Sequence, residues 1–334
     1  MIVLTTRFTQ LVGCSVPIQQ AAIGGLANPT LAAAVSNAGG LGMTALAGGS
    51  PDEITAALEK IRSLTRAPFG ANFVPPLMDP ATLRECVAAA APRARVVEFF
   101  YATPDPSLVA LVHEKGALVS WQVGSREEAV AAAEAGCDLI VAQGVEAGGH
   151  VRGKIGLLPL LGEVLGAVRV PVLAAGGIGS GRAMAAALAA GADGVRVGTR
   201  FVASVEAGAH PEYVEALFRA TAEDTVLTET FGANWPNAPH RVLRSSVEAV
   251  LACKDDVIAE GVDEESGETF QVRRLYSVSP RKSMRGNIAA LPHWAGESVA
   301  AVKRLQPAAE IVRELMEEAE ASIISRQVSA PAPA

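Results

Sequence analysis

Residues 187–201 read ALAAGADGVRVGTRF. An alanine-rich stretch of helical period runs into Gly191, a short β-branched run follows at 194–197, and the chain turns through Gly198. The same joint stands at 34–43 (AVSNAGGLGM) and at 132–141 (AAEAGCDLIV). In each, a glycine supplies the left-handed residue that ends a helix, and a strand begins at once. Working outward, β-rich runs recur at Val16–Ala22, Leu41–Ala45, Phe69–Phe73, Ala94–Phe99, Leu118–Trp121, Asp138–Ala142, Val170–Ala174 and Gly194–Val197. Most are apolar on both faces, as parallel strands covered by helices must be. The spacing is roughly 20–30 residues, the size of a βα unit.

Eight such units predict an α/β fold, a (β/α)8 TIM barrel over residues 1–220. An open doubly wound sheet is the competing fold, and no GxGxxG follows the first strand to favour it. After Val197 the rhythm stops. Residues 221–294 mix Trp235, Pro236, Pro239, Pro280, Pro292 and Trp294 with charged stretches. They are expected to form a smaller, mainly helical domain, a substrate lid inserted after strand eight. Residues 295–326 read as a helix, interrupted near Pro307, that returns to the barrel. The end, 327–334, reads as a frayed tail.

Half of the 334 residues are hydrophobic and 19% are charged, which calls for a large buried core. A net charge of −7 and the lack of a basic run exclude a nucleic-acid surface. No charged residue lies between Phe8 and Pro51, yet prolines, amides and glycine pairs break that run, so no membrane span is expected. Cys14, Cys86, Cys137 and Cys253 are scattered, with no CxxC pair or metal-ligand spacing, which reads as a reduced, cytoplasmic chain without a metal site.

In a barrel the chemistry sits at the C-terminal ends of the strands. After strand seven comes AAGGIGSGRAM (174–184), and after strand eight VGTRF (197–201). Paired glycines bring backbone N–H groups close to a ligand, and the helix behind adds donors, so the two loops suit a phosphate. Tight turns alone are the other reading of the same glycines. At the mouth of strand six, VEAGGHVRGK (145–154) presents His150 behind two glycines, where an imidazole can donate or accept a proton. Of the other histidines, His113 falls in a helix, His210 and His240 read as surface or capping residues, and His293 is unassigned.

These motifs together resemble the nitronate monooxygenase family, which also includes FMN-dependent enoyl-acyl-carrier-protein reductases and NADH:quinone reductases. The resemblance runs from VPIQQAAIGG through NAGGLG, PFGANF and EAGGH to AAGGI and GTRF, about the first two-thirds of the chain. It implies FMN, with its phosphate at Gly176, Gly177, Gly198 and Thr199. It further implies a ring system over Ala21, Ala22, Ala147, Gly148 and Gly149, with Ala175 beside it. Asn72 matches an asparagine that hydrogen-bonds the flavin. Gln122 and Gln143 stand where some members carry a lysine and an acidic residue. His150 takes the catalytic position.

The implied activity is oxidation of alkyl nitronates by O2. The alternatives are a reductase drawing on NAD(P)H to act on enoyl thioesters or quinones, and a flavin-free phosphate-binding isomerase. For the last, Glu98 is the one carboxylate candidate for a base. A small-molecule substrate is expected in every case, and a homodimer is left open.

Overall fold

The structure, a computed structural model, describes residues 4–46, 48–262 and 267–328. Eight strands follow the sequence: β1 (Ile18–Gln20), β2 (Gly42–Ala45), β3 (Phe69–Phe73), β4 (Val96–Phe99), β5 (Leu118–Val123), β6 (Leu139–Gln143), β7 (Val172–Ala175) and β8 (Gly194–Val197). Each overlaps its expected run. All pair in parallel, from β2 in sequence order through β8 and on to β1. A parallel bridge between Gln19 and Leu41 joins β1 to β2 and completes the (β/α)8 barrel.

The helices between strands start where the sequence tells them to. Asn28-Pro29, Ser50-Pro51, Asp79-Pro80 and Asp105-Pro106 each set a capping side chain before a proline at the first helical position. The cap satisfies an orphan N–H, and proline gives up a donor that would have been orphaned anyway. The three glycine joints hold as well: Gly39, Gly136 and Gly191 have φ of 95°, 95° and 106°.

Along the strands, side chains alternate between two cores. Phe73, Phe99, Trp121, Ile140 and Ala174 face the helices. Met43, Val96, Leu139, Val141 and Leu173 face inward and pack with Phe8 and Val12. Those two come from the short helix Arg7–Val12, which plugs the bottom of the barrel and is tied down by Arg7 on Asp193 (2.6 Å). Among the described residues, no helix is long and apolar enough to cross a membrane.

The segment 221–294 departs from the helical expectation. Its described residues hold β9 (Thr225–Thr228), β10 (His240–Leu243), β11 (Val257–Val262), β12 (Thr269–Arg273) and β13 (Arg285–Gly286), against one α-helix, Arg244–Ala252. Its charges suggested solvated helix. The deciding feature is the two-residue period of TFQVR, where Val272 is buried between exposed Gln271 and Arg273. These strands enclose their own apolar core of Phe231, Val242, Val250, Ile258 and Val272. β10 also pairs antiparallel with β9 and with Gly149–His150 of the β6 loop.

The returning helix is Ala308–Val328, so it starts after Pro307 rather than at 295. It lies on helix Gly181–Ala189, where Gly181 N donates to Glu318 Oε2 (2.7 Å). Of the expected tail, residues 329–334 fall outside the described residues.

Removing the plug tests this architecture. Phe8→Ala deletes a fully buried ring and should cost about 3–5 kcal/mol. The check is a lowered Tm in thermal unfolding.

Candidate active site

The C-terminal strand ends open into a cavity of about 440 Å3. All the site residues expected from sequence line it: Ala21 and Ala22 after β1, Asn72 on β3, Gln122 on β5 and Gln143 on β6, Ala147 to His150 in the next loop, Ala175 at the end of β7 with Gly176 and Gly177 after it, and Gly198 with Thr199 after β8. The segment 221–294 supplies the roof through Asn234, Trp235, Ser277, Ser279, Arg281 and Trp294.

The floor is a polar layer built on Glu98, which is 0% exposed. Its carboxylate accepts from Gln19 Nε2 (3.1 Å), Asn72 Nδ2 (3.0 Å) and Ser120 Oγ (3.3 Å), and it is ion-paired with Arg196 Nη1. A carboxylate so engaged is a structural anion, so Glu98 is not an accessible base. Arg196, which lines the cavity at 7% exposure, is not among the residues expected from sequence. Its signal was present: a charged residue at an inward position of GVRV, needing a buried partner.

The other floor amides differ in what they have left to offer. Asn72 gives its NH2 to Glu98. Gln143 donates from Nε2 to His150 O (2.9 Å) and accepts at Oε1 from Arg152 N (3.1 Å), so it braces the β6 loop. Gln122 Oε1 is buried and has no partner among the described residues. An orphaned buried acceptor facing a cavity marks the place of a missing donor.

The glycines divide in the same way. Gly148 makes room for protein, since a Cβ there would lie 2.7 Å from Ala295 C. Gly149, Gly176 and Gly177 have φ of 74°, 102° and 69°, which only glycine adopts readily. Among the described residues, the N–H groups of Gly176, Gly177 and Thr199 have no protein acceptor. They form a ready anion cradle.

His150 stacks on Trp235, centroids 4.0 Å apart at 30°, with Trp294 at 5.4 Å and the edge of Tyr101 at 6.1 Å. Its Nε2 is 3.4 Å from Ser277 Oγ. Burial, aided by the nearby His240, lowers its pKa to about 3, so the imidazole is neutral at physiological pH. His240, expected at the surface, is fully buried because its strand pairs directly with His150. Phe231 N donates to its Nε2 (3.1 Å), which leaves the proton on Nδ1 facing Ala238 O (2.9 Å). His293 is buried as well and stacks on Tyr213, whereas His113 pairs with Asp138 and His210 caps helix Pro211–Arg219. Arg152 is held by Glu128 at 2.8 Å and packs over Tyr101.

The family model described as nitronate monooxygenase matches residues 5–318. The chain belongs to that family. Nitronate monooxygenase of Pseudomonas aeruginosa is 35% identical, the alignment covering 94% of this chain and 99% of that protein. The (3aS,4S,5R,7aS)-5-hydroxy-7a-methyl-1-oxo-octahydro-1H-indene-4-carboxyl-CoA dehydrogenase of Rhodococcus jostii is 38% identical over 74% of this chain and 68% of its own length. The structure of FabK from Thermotoga maritima superposes with a TM-score of 0.79 at 30% identity, covering 97% of this chain and 99% of that one. The protein is accordingly an FMN-dependent oxidoreductase of the nitronate monooxygenase family.

The neutral state of His150 has a cost at low pH. Its folded-state pKa lies below the unfolded value near 6.5, so its contribution to stability is complete above pH 6.5 and is lost as pH falls toward 3. His293, lowered to about 4, adds to the same slope. The Tm of the apoprotein should therefore fall from pH 7 to pH 4, and His150→Phe should flatten that fall. An equal slope in both proteins would contradict the burial of a neutral imidazole.

Proposed function

We propose that the protein is a nitronate monooxygenase that oxidises small alkyl nitronates with O2. The observation that carries this reading is a neutral, aromatic-caged His150 in the same cavity as an unused anion cradle and an orphaned acceptor.

The residues present fit FMN. The N–H groups of Gly176, Gly177 and Thr199 would take its phosphate. Gln122 Oε1 would accept from a ring N–H, and the Arg196 guanidinium, balanced by Glu98, would supply donors at the floor. Bound FMN would supply the electron acceptor for the nitronate and pass the electrons to O2.

The protein's own part is binding and proton management. A nitronate is already an anion, so no carbon-bound proton need be removed. Neutral His150 keeps one N–H to donate to a nitro oxygen, and its other nitrogen could take the α-proton of a nitroalkane. Trp235 stacks on the imidazole and, with Trp294 tilted beside it, fixes its plane.

A second reading rests on the likeness to the CoA-ester dehydrogenase of R. jostii. In it NAD(P)H would reduce the flavin, and His150 would polarise a thioester carbonyl in the same cavity. The flavin-free isomerase has no support, since Glu98 is saturated.

The two readings separate on anaerobic stopped-flow mixing of the holoenzyme with propionate-3-nitronate, NADH or NADPH. Flavin bleaching by the nitronate, with little from either nucleotide, is expected; reduction by NAD(P)H alone would move the protein to the reductase reading. His150→Ala should keep its FMN and lose at least about 100-fold in kcat/KM. Undiminished turnover would take His150 out of the reaction.

A further inference from the structure

The ionisable side chains lining the cavity among the described residues are His150, Arg196 and Arg281. None is acidic, although the chain as a whole carries a net charge of −7. His150 is neutral, and Glu98 balances Arg196. Arg281 is different. Its guanidinium makes no ion pair or hydrogen bond with any described residue, and it packs over the Phe270 ring with Cζ 4.9 Å from the centroid.

The chain around Arg281 is anchored on both sides. Ser279 Oγ donates to Gly24 O (2.5 Å) and accepts from Trp294 Nε1 (2.9 Å). His210 N donates to Pro280 O (3.0 Å), and Lys282 N to Gly208 O (2.8 Å). The arginine stem runs beside Gly25 in the β1 loop. The half-buried guanidinium is thereby held at the cavity wall, where its charge can meet an anion.

We propose that Arg281 is a specificity-determining residue that binds a second anionic group, a carboxylate, at the end of a small nitronate remote from its nitro carbon. The proposal rests on the nitronate reading above. A carboxylate matches the planar fork of arginine.

The test compares wild type, Arg281→Met and Arg281→Lys holoenzymes on two three-carbon nitronates. Propionate-3-nitronate carries the carboxylate and propyl-1-nitronate lacks it. Arg281→Met should raise KM for propionate-3-nitronate at least about tenfold, the scale of a lost hydrogen bond to a charged group. Its kcat and FMN content should stay within about twofold, and so should its kinetics on propyl-1-nitronate. Arg281→Lys should recover part of the loss, and added salt should weaken the wild-type preference.

Equal effects on both substrates, no effect on either, or a loss confined to NADPH relative to NADH would overturn the assignment. If wild type turns over neither nitronate, the proposed activity fails, and Arg281 is still decided by binding. Anaerobic titration with 3-nitropropionate and 1-nitropropane, followed by flavin absorbance, should then show weakening by Arg281→Met for 3-nitropropionate alone. Equal weakening for both would again overturn it.

Discussion

A single carboxylate in the middle of the barrel, Glu98 on β4, organises everything above it. Burying a charge is expensive unless it is paired and its lone pairs are used. Here the partners come from β1, β3, β5 and β8, in the form of Gln19, Asn72, Ser120 and Arg196. A one-residue slip of any of these strands would turn its donor outward into the helix-facing core and strand the charge. The same layer divides the barrel in two. Below it Phe8, Val96, Val141 and Leu173 fill the interior with hydrocarbon; above it the interior opens into the cavity.

The second constraint is the tether between the β6 loop and the segment that roofs it. His150 pairs with His240, Val151 N donates to Pro239 O, and Gly148 lets the chain at Ala295 and Gly296 pass against its backbone. Gln143 braces this loop from beneath. The roof is therefore not a separate module laid over a finished barrel. Its β10 strand completes the small sheet that positions the imidazole, and its Trp235 sets the plane of the ring. The depressed pKa of His150 follows from that enclosure.

The barrel and its glycine loops were legible because their signals are local. Helix, glycine, strand is written in consecutive residues at Gly39, Gly136 and Gly191, and Asp79-Pro80 or Asp105-Pro106 starts a helix on its own. What stayed hidden depends on residues far apart in sequence. Arg196 and Glu98 are 98 residues apart, and nothing local to either shows that the other neutralises it. His240 looked like a surface histidine because its burial depends on pairing with a loop 90 residues earlier. The strands of 221–294 were lost to their charge content, since an edge hairpin with one buried face carries nearly as many charges as a solvated helix. Gly148 was legible as a point of close approach, but the sequence could not say that another stretch of this chain makes it.

The electrostatics of the cavity then follow from which charges are compensated. A neutral imidazole cannot attract an anion over distance; it can only complete a short hydrogen bond once the ligand has arrived. Arg196 is in turn screened by the carboxylate it balances, so it acts at contact range on whatever lies on the floor. Capture of an anion by an acidic protein needs a charge that is fixed, unpaired and exposed to the cavity. Among the described lining residues Arg281 alone has all three properties. Attraction and hydrogen bonding are thus assigned to different side chains on different segments. On the proposed function, His150 can remain uncharged because the charge that an anionic substrate would meet is carried by Arg281.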